Sequence, residues 1–354
     1  MDDNNKKSRV GFWIATSLAI FFFLCCVVLL SSLMGLLIIK SALSPHEKEG
    51  KIEKLDETLI EGTGADKILI IPINGIITAQ SSRKLFQETP SIVDSVKQQL
   101  EQARDDNGVK AVILEINSPG GGITASDIIY KEILEFKEKT NKRIIVSMQD
   151  VAASGAYYIS AAADKIISHP TTVTGSIGVI MPLINIANLV EKYGIEDTSI
   201  ESGNMKSIGS PLKKMSDEEK KVLHDIVYEM YTRFLNVIAD GRNMKIEDVR
   251  KLADGRIYTG KQALENGLVD QLGYIDDAIT LAREMAGLKD AKIIKYKRTL
   301  NLAEIFAGSM DNLFGNRTVT IGIHASATDD DFPRFMYLWT GYQQNYLFKW
   351  PAFN

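Results

Sequence analysis

The chain has 354 residues, of which 45% are hydrophobic and 24% are charged, and this is the composition of an ordinary globular protein. Its formal net charge of −4 gives no support to nucleic-acid binding. The only cysteines, Cys25 and Cys26, are adjacent and lie in an apolar segment. The composition therefore excludes a disulfide framework in the rest of the chain.

The first feature along the chain is an apolar segment near the N-terminus. Residues 11–39 form a run of 29 residues without a charge, and three basic residues precede it. A helix rises about 1.5 Å per residue, so this run exceeds the roughly 20 residues that cross a bilayer. The pattern predicts a transmembrane anchor over 11–39, with residues 1–10 cytoplasmic and the body on the other side. Removal of the anchor near residues 41–44, Ser-Ala-Leu-Ser, stays open.

The next segments suggest a stalk followed by one large domain. Residues 40–66 are polar with interspersed acidic and basic side chains, which predicts a solvated stalk. Strand and helix signals alternate over 67–298 and predict an α/β domain with a largely parallel sheet and flanking helices. Ser216 and Glu219 form a capping-box signature at the start of a long helix. The other signals are strand-like at 67–73, 109–116 and 143–147, and helical at 92–103, 129–136, 246–252 and 275–286.

The C-terminal segment, residues 299–354, has no clean helical or strand periodicity. Between Phe332 and Phe353 it holds nine aromatic residues in 22 positions. Such a surface is costly to leave in water, so we expect this aromatic tail to dock somewhere. A contact between protomers, the bilayer surface and a peptide groove of the same chain are the options. A tethered apolar segment has a high effective concentration at such a groove, so we expect part of the tail to occupy the active site or to be trimmed by it.

The first candidate functional motif is Asn117–Gly122, with the sequence Asn-Ser-Pro-Gly-Gly-Gly, directly after the predicted strand 109–116. Consecutive glycines let a backbone approach a ligand closely. Their amides can stabilise the oxyanion of an acyl-transfer intermediate. A phosphate-binding P-loop would end in Gly-Lys-Ser/Thr, which does not follow here. Taken alone, the motif is also explained by a tight turn between a strand and a helix.

The second motif surrounds Ser154 with small residues, in the sequence Val-Ala-Ala-Ser-Gly-Ala over 151–156. A serine at a strand-to-helix turn exposes its hydroxyl, and the next amide, that of Gly155, can complete an oxyanion hole. By itself such a serine is more commonly a helix N-cap, and only the neighbouring motifs favour a nucleophile. None of the four histidines has a catalytic context, so we expect a lysine to be the base.

Lys206 is the candidate base. A lysine acts as a general base only in its neutral form, which burial away from carboxylates favours. No acidic residue adjoins it, although Glu201 is five positions earlier. The adjacent Lys213 and Lys214, ahead of the capped helix, are predicted to be solvated.

Together these motifs resemble the signal peptide peptidase A family. They are Asn-Ser-Pro-Gly-Gly, Ala-Ala-Ser-Gly-Ala, Thr-Gly-Ser-Ile-Gly-Val at 174–179, Lys-Ser at 206–207, Gly-Arg-Ile-Tyr-Thr-Gly at 255–260 and Gly-Leu-Val-Asp at 267–270. The resemblance covers about residues 67–287. The separation of 52 positions between Ser154 and Lys206 fits the single-domain bacterial form.

The resemblance implies a Clp-protease/crotonase-like fold and a Ser-Lys dyad endopeptidase that degrades remnant signal peptides and other apolar peptides. By position, Ser154 is the expected nucleophile, Lys206 the expected base, and Ser176 the serine that orients the lysine. The glycines that match the oxyanion hole are Gly121 and Gly155, and those expected to line the substrate groove are Gly120 and Gly122.

The resemblance also implies partners. By resemblance to the short members of the family, we expect a dome-shaped homo-oligomer, an octamer being one option, with each dyad completed between neighbouring protomers. We expect contact with membrane lipid through the anchor, a single-pass location in the cell membrane with the catalytic domain extracytoplasmic, and neither a cofactor, a metal nor a nucleic-acid partner.

Three alternatives stay open. One is a crotonase-type acyl-CoA enzyme, which would use a similar pair of amides without a Ser-Lys pair. Another is a membrane-anchored scaffold that binds peptides without cleaving them. A stomatin-associated membrane protease would add membrane spans, and no second apolar run of this chain approaches the roughly 18 residues that a span needs.

Overall fold

The structure is a computed structural model of the full chain. The residues that it describes are Trp13, 16–30, 32–33, 54–83, 88–298 and 336–338. The chain divides into two compact units, Met1–Glu53 and Lys54–Asn354.

In the N-terminal unit, residues 16–30 are helical (α1), as are Trp13 and residues 32–33. These positions fall within the predicted anchor, residues 11–39, whose other residues lie outside the described part. Among the residues that the structure describes, no helix is both long enough and apolar enough to cross a membrane.

The C-terminal unit contains the strands and the remaining helices. The strands are β1 (Asp56–Glu61), β2 (Lys67–Asn74), β3 (Ser82–Arg83), β4 (Glu88–Thr89), β5 (Val109–Ser118), β6 (Gly120–Gly122), β7 (Arg143–Ala153), β8 (Lys165–Ser168), β9 (Val173–Gly175), β10 (Ile257–Thr259), β11 (Gln271–Leu272), β12 (Lys292–Lys297) and β13 (Met336–Leu338). The helices are α2 (Ile92–Asp105), α3 (Ile123–Thr140), α4 (Gly155–Ser160), α5 (Ala187–Lys192), α6 (Asp217–Arg242), α7 (Ile246–Leu252), α8 (Gly260–Glu265) and α9 (Ile275–Met285).

The main sheet is mostly parallel, as the sequence predicts. Its strands follow the order β1-β12-β2-β5-β7-β8-β11, with β9 added to the end of β7 and β10 added to β9. The pairs that involve β2, β5, β7 and β8 are all parallel. Only β1 on β12 and β10 on β9 are antiparallel. Parallel neighbours need crossover connections, and α2 and α3 supply them between β2, β5 and β7.

Successive side chains of the central strands point to opposite faces of the sheet, so the core has two layers, one on each face. In β2, Ile68 and Ile70 pack with Ala278 and other residues of α9. The residues between them, such as Leu69 and Ile71, belong to a larger cluster with α2, α3 and α6. A strand covered on both faces must be apolar at nearly every position. This requirement explains the continuous apolar runs in β2 and β5.

The predicted boundary between stalk and domain at residues 66 and 67 is wrong. Residues Asp56–Glu61, inside the predicted stalk, form strand β1, which pairs with β12. All six of its residues are exposed, and β1 is the edge strand of the sheet. An edge strand without a buried face has the polar composition of a solvated linker, which is why the sequence pattern favoured a stalk.

Candidate active site

The predicted site residues lie where several parallel strands end. Strands β2, β5, β7 and β9 run in the same direction, so their carboxyl ends share one edge of the sheet. The glycine run follows β5, Ser154 follows β7 and Ser176 follows β9. Ligand sites of open α/β sheets lie beyond this edge. The fold therefore gathers three of the sequence motifs in one region.

Ser154 occupies the turn between β7 and α4 in a strained conformation. Its φ is 57° and its ψ is −117°, a combination that non-glycine residues rarely adopt. The amide of Ser154 donates a hydrogen bond to the carbonyl of Gly175 at 2.7 Å. The residue is 1% exposed, and no described residue forms a hydrogen bond with its hydroxyl. This backbone resembles the strained turn that presents a nucleophilic serine in other hydrolases.

Ser176 lies next to Ser154 across two neighbouring strands. The carbonyl that accepts the Ser154 amide belongs to Gly175, which immediately precedes Ser176. Ser176 also has a positive φ, 48°, and its own amide donates to the carbonyl of Arg256 at 2.8 Å. The structure thus brings the predicted nucleophile and the predicted orienting serine together.

The motif at 255–260 supports this strand rather than supplying chemistry. A Cβ at Gly175, whose φ is +81°, would lie 2.5 Å from the ring of Tyr258, so only glycine fits there. The Tyr258 hydroxyl donates to the carbonyl of Leu252 at 2.9 Å. Burial raises the pKa of Tyr258, which keeps this phenol a hydrogen-bond donor. Tyr258 therefore fixes strand β9, which directly precedes Ser176.

The glycine run is packed against the chain that follows β2. A Cβ at Gly121 would lie 2.1 Å from the carbonyl oxygen of Ile77, so this backbone approach requires glycine. Ile77 donates its amide to the carbonyl of Gly120 and accepts the amide of Gly122, both at 2.9 Å. Since successive peptide groups of a strand face opposite sides, the amide and carbonyl of Gly121 face away from Ile77.

Strand β13, from the aromatic tail, lies on that other side. Tyr337 is the antiparallel register partner of Gly121. On the opposite edge of β13, Met336 and Ile180 exchange two backbone hydrogen bonds, each of 3.1 Å. Residues 336–338 of the tail therefore pair with the glycines that were predicted to line the groove, while the rest of the tail lies outside the described residues. Ile77 and Ile180 belong to this groove through backbone groups alone, so no sequence motif could have identified them.

Lys206 lies in the loop between α5 and α6. Its amide donates to the carbonyl of Gly203 at 2.9 Å in one of several consecutive turns, and the residue is exposed. Within the described part of the chain, no hydrogen bond joins Lys206 to Ser154. The pairing of these two residues stays a prediction.

Lys213 is less solvated than the sequence predicts, since its side chain is only 33% exposed. Its ammonium donates to the hydroxyl of Ser207 and lies 3.4 Å from a carboxylate oxygen of Glu201. A carboxylate oxygen of Glu219 is 3.8 Å away. Lys214, in contrast, has a side chain that is 70% exposed, and the prediction is right for that residue. Adjacent lysines look alike in a sequence, and only the fold separates their surroundings.

Among the described residues, no group of three or more histidine, cysteine, aspartate or glutamate side chains could hold a metal ion.

Comparison with known proteins indicates a peptidase, in agreement with the geometry around Ser154. A model of peptidase family S49 matches residues 136–289, and a model of Clp protease matches residues 83–174. The Clp-protease-like α/β fold expected from the sequence is thereby confirmed. A solved ClpP1 mutant from Listeria monocytogenes has a TM-score of 0.39 and 19% identity, covering 59% of this chain and 94% of that one.

Three relatives specify the class further. An Enterococcus faecium protein provisionally named signal peptide peptidase SppA is 44% identical over 261 residues, which are 73% of this chain and 76% of that protein. Protease 4 of Salmonella typhi is 35% identical over 63% of this chain and 36% of its own length. The chloroplastic serine protease SPPA of Arabidopsis thaliana is 30% identical over 79% of this chain and 44% of its own length.

The chain is therefore a serine peptidase. It belongs to peptidase family S49, the family of the signal peptide peptidase SppA.

Proposed function

We propose that this protein is a membrane-anchored endopeptidase that cleaves remnant signal peptides and other apolar peptides with a Ser154–Lys206 dyad. Ser154 attacks the scissile carbonyl, and neutral Lys206 accepts its proton and later passes it to the leaving amine. Ser176 orients the lysine. The amides of Gly121 and Gly155 stabilise the oxyanion of the tetrahedral intermediate.

The observation that carries this proposal is the strand held beside the glycine run. Residues 336–338 lie extended between Gly121 and Ile180, and Met336 is 4% exposed. A peptide bound in the same way would add a strand to the edge of this groove, with backbone hydrogen bonds on both sides. The groove lies at the carboxyl edge of the sheet that also carries Ser154, so it delivers an extended peptide to that end of the fold.

A second copy of the chain would bring the nucleophile and the base together. Ser154 is buried, whereas Lys206 is exposed in the isolated chain. The segment between Ser176 and Lys206 exposes large apolar side chains, among them Ile184 at 69% and Ile200 at 102%. Monomeric proteins rarely leave such residues in water. A ring-shaped homo-oligomer would cover them and place Lys206 of one protomer beside Ser154 of the next.

The substrate class follows from the location proposed for the enzyme. The run of 29 uncharged residues from 11 to 39 would tether the peptidase domain to the extracytoplasmic face of the cell membrane. Released signal peptides are apolar segments at the same surface. Family membership favours this reading over the crotonase-type enzyme and over the scaffold, neither of which uses Ser154.

Peptide profiling tests the substrate class. With the purified full chain in detergent, we expect the fastest cleavage for extended peptides with apolar or small residues around the scissile bond. A fluorophosphonate that labels Ser154 confirms in parallel that the protein is an active serine hydrolase. Preferred cleavage after lysine or aspartate would contradict the proposed substrates, and the absence of labelling would contradict the mechanism.

The position of the tail beside the glycine run leads to a second, independent prediction. Deletion of residues 332–354 should lower the KM for short peptides several-fold, because a tethered strand competes at an effective concentration on the order of millimolar. Mass spectrometry of the full chain should show a shortened C-terminus that Ser154→Ala restores. An unchanged KM together with an intact C-terminus in both proteins would exclude the tail as a ligand of the groove.

A further inference from the structure

The loop that carries Lys206 depends on side chains for its position. We define the base loop as residues 203–210. Its own backbone bonds are short turns, such as the Ile208 amide to the Met205 carbonyl at 3.2 Å and the Ser210 amide to the Ser207 carbonyl at 2.9 Å. Turns of this kind shape a loop locally but do not attach it to the domain.

Lys213 connects the base loop to helix α6. Its ammonium donates to the hydroxyl of Ser207, the residue that directly follows Lys206. The same ammonium faces Glu219, which is fixed in the capping box of α6. One carboxylate oxygen of Glu219 accepts the amide of Ser216 at 2.7 Å, and the other is buried, 3.8 Å from Lys213. A rigid helix start thus holds the residue beside Lys206 through one ammonium group.

Lys213 also compensates the acidic groups near the base loop. The hydroxyl of Ser207 lowers the pKa of Glu201, and Lys213 lowers it further. The amide of Ser216 lowers the pKa of Glu219, and the hydroxyl of Ser199 lowers the pKa of Asp197; the charge of Lys213 adds to both effects. All three carboxylates are therefore ionised at neutral pH. Without Lys213 their charge would favour the ammonium form of a nearby lysine, which is the inactive form of a general base.

We propose that Lys213 is a positioning residue for the reaction, which holds the base loop in place and keeps the charge of Glu201 from acting on Lys206. The proposal rests on the proposed function, in which Lys206 is the base.

The test is the pH profile of kcat/KM for matched variants of the full chain. Lys213→Met keeps most of the length of the side chain and removes its charge. We expect the rise of activity with pH to move upward by roughly 0.5–1 pH unit, and activity below that rise to fall ~3- to 10-fold. Lys213→Arg keeps the charge and should remain close to the wild-type profile. Lys214→Met, a change of the exposed neighbour, should leave the profile unchanged.

Removing the carboxylate of Glu201 should shift the pH profile in the opposite direction. Glu201→Gln removes a negative charge, so the rise of activity should move to lower pH. In the double variant with Lys213→Met, Glu201→Gln should reverse the upward shift. An unmoved profile in Lys213→Met would overturn the proposal. If circular dichroism shows that Lys213→Met is unfolded, Glu201→Gln decides, and an unmoved profile there overturns it. Retained activity in Lys206→Arg would instead refute the proposed base, whatever the Lys213 variants do.

Discussion

Ser154→Ala should reduce peptide hydrolysis on the order of 10⁴- to 10⁶-fold, because removal of a nucleophile eliminates the covalent step. The fold should survive the change. The amide of Ser154 keeps its hydrogen bond to Gly175, and the lost hydroxyl has no partner among the described residues. We expect the thermal midpoint to change by less than about 3 °C. Steady-state hydrolysis and a thermal melt of the same preparation provide both measurements.

A second buried serine offers a matched control. Ser126, in α3, is fully buried, and its hydroxyl also has no hydrogen-bond partner within the described chain. Ser126→Ala removes the same atom from a comparable environment and should retain activity. Near-wild-type turnover by Ser154→Ala would show that the nucleophile is a different residue.

Lys206→Arg should be inactive although it preserves the positive charge. Arginine does not lose its proton in the working range of an enzyme, so it cannot accept the proton of the serine. Wild-type activity should increase with pH, since only neutral lysine is a base. Ser176→Ala should weaken catalysis without abolishing it, because an orienting hydroxyl carries no proton in the reaction. Substantial activity in Lys206→Arg would place the base elsewhere.

Mixing two inactive variants tests where the dyad forms. In a ring whose sites each take the serine of one protomer and the lysine of its neighbour, a 1:1 mixture of Ser154→Ala and Lys206→Ala restores about a quarter of the sites. The mixture must be refolded or co-expressed so that subunits exchange. If both residues act within one chain, the mixture stays inactive.

The sequence predicts the central sheet well because its signals are strong and local. The apolar runs at 67–73 and 109–116 correspond to β2 and β5, and the capping box at Ser216 and Glu219 is present at the start of α6. Strand β7 continues beyond the predicted 143–147 as far as Ala153. Small residues such as Ala152 and Ala153 have little strand propensity, and pairing with β5 and β9 keeps them extended.

The features that the sequence does not predict involve backbone groups or distant partners. Strand β1 looked like a linker because none of its residues is buried. Ile77 and Ile180 contribute only amides and carbonyls to the groove. The difference between Lys213 and Lys214 arises from Ser207 and Glu219, which approach only after folding. Contacts of this kind depend on tertiary structure, which local residue patterns do not encode.

The two-sided groove around β13 limits which polypeptides can reach the nucleophile. A chain that enters must offer free amides and carbonyls on both of its edges, one for Gly121 and one for Ile180. Strands inside a folded protein already have these groups paired, and helices direct theirs along their own axis. If substrates bind as proposed, folded proteins would therefore be poor substrates. This geometry would favour unfolded polypeptides, in agreement with the proposed cleavage of released apolar peptides.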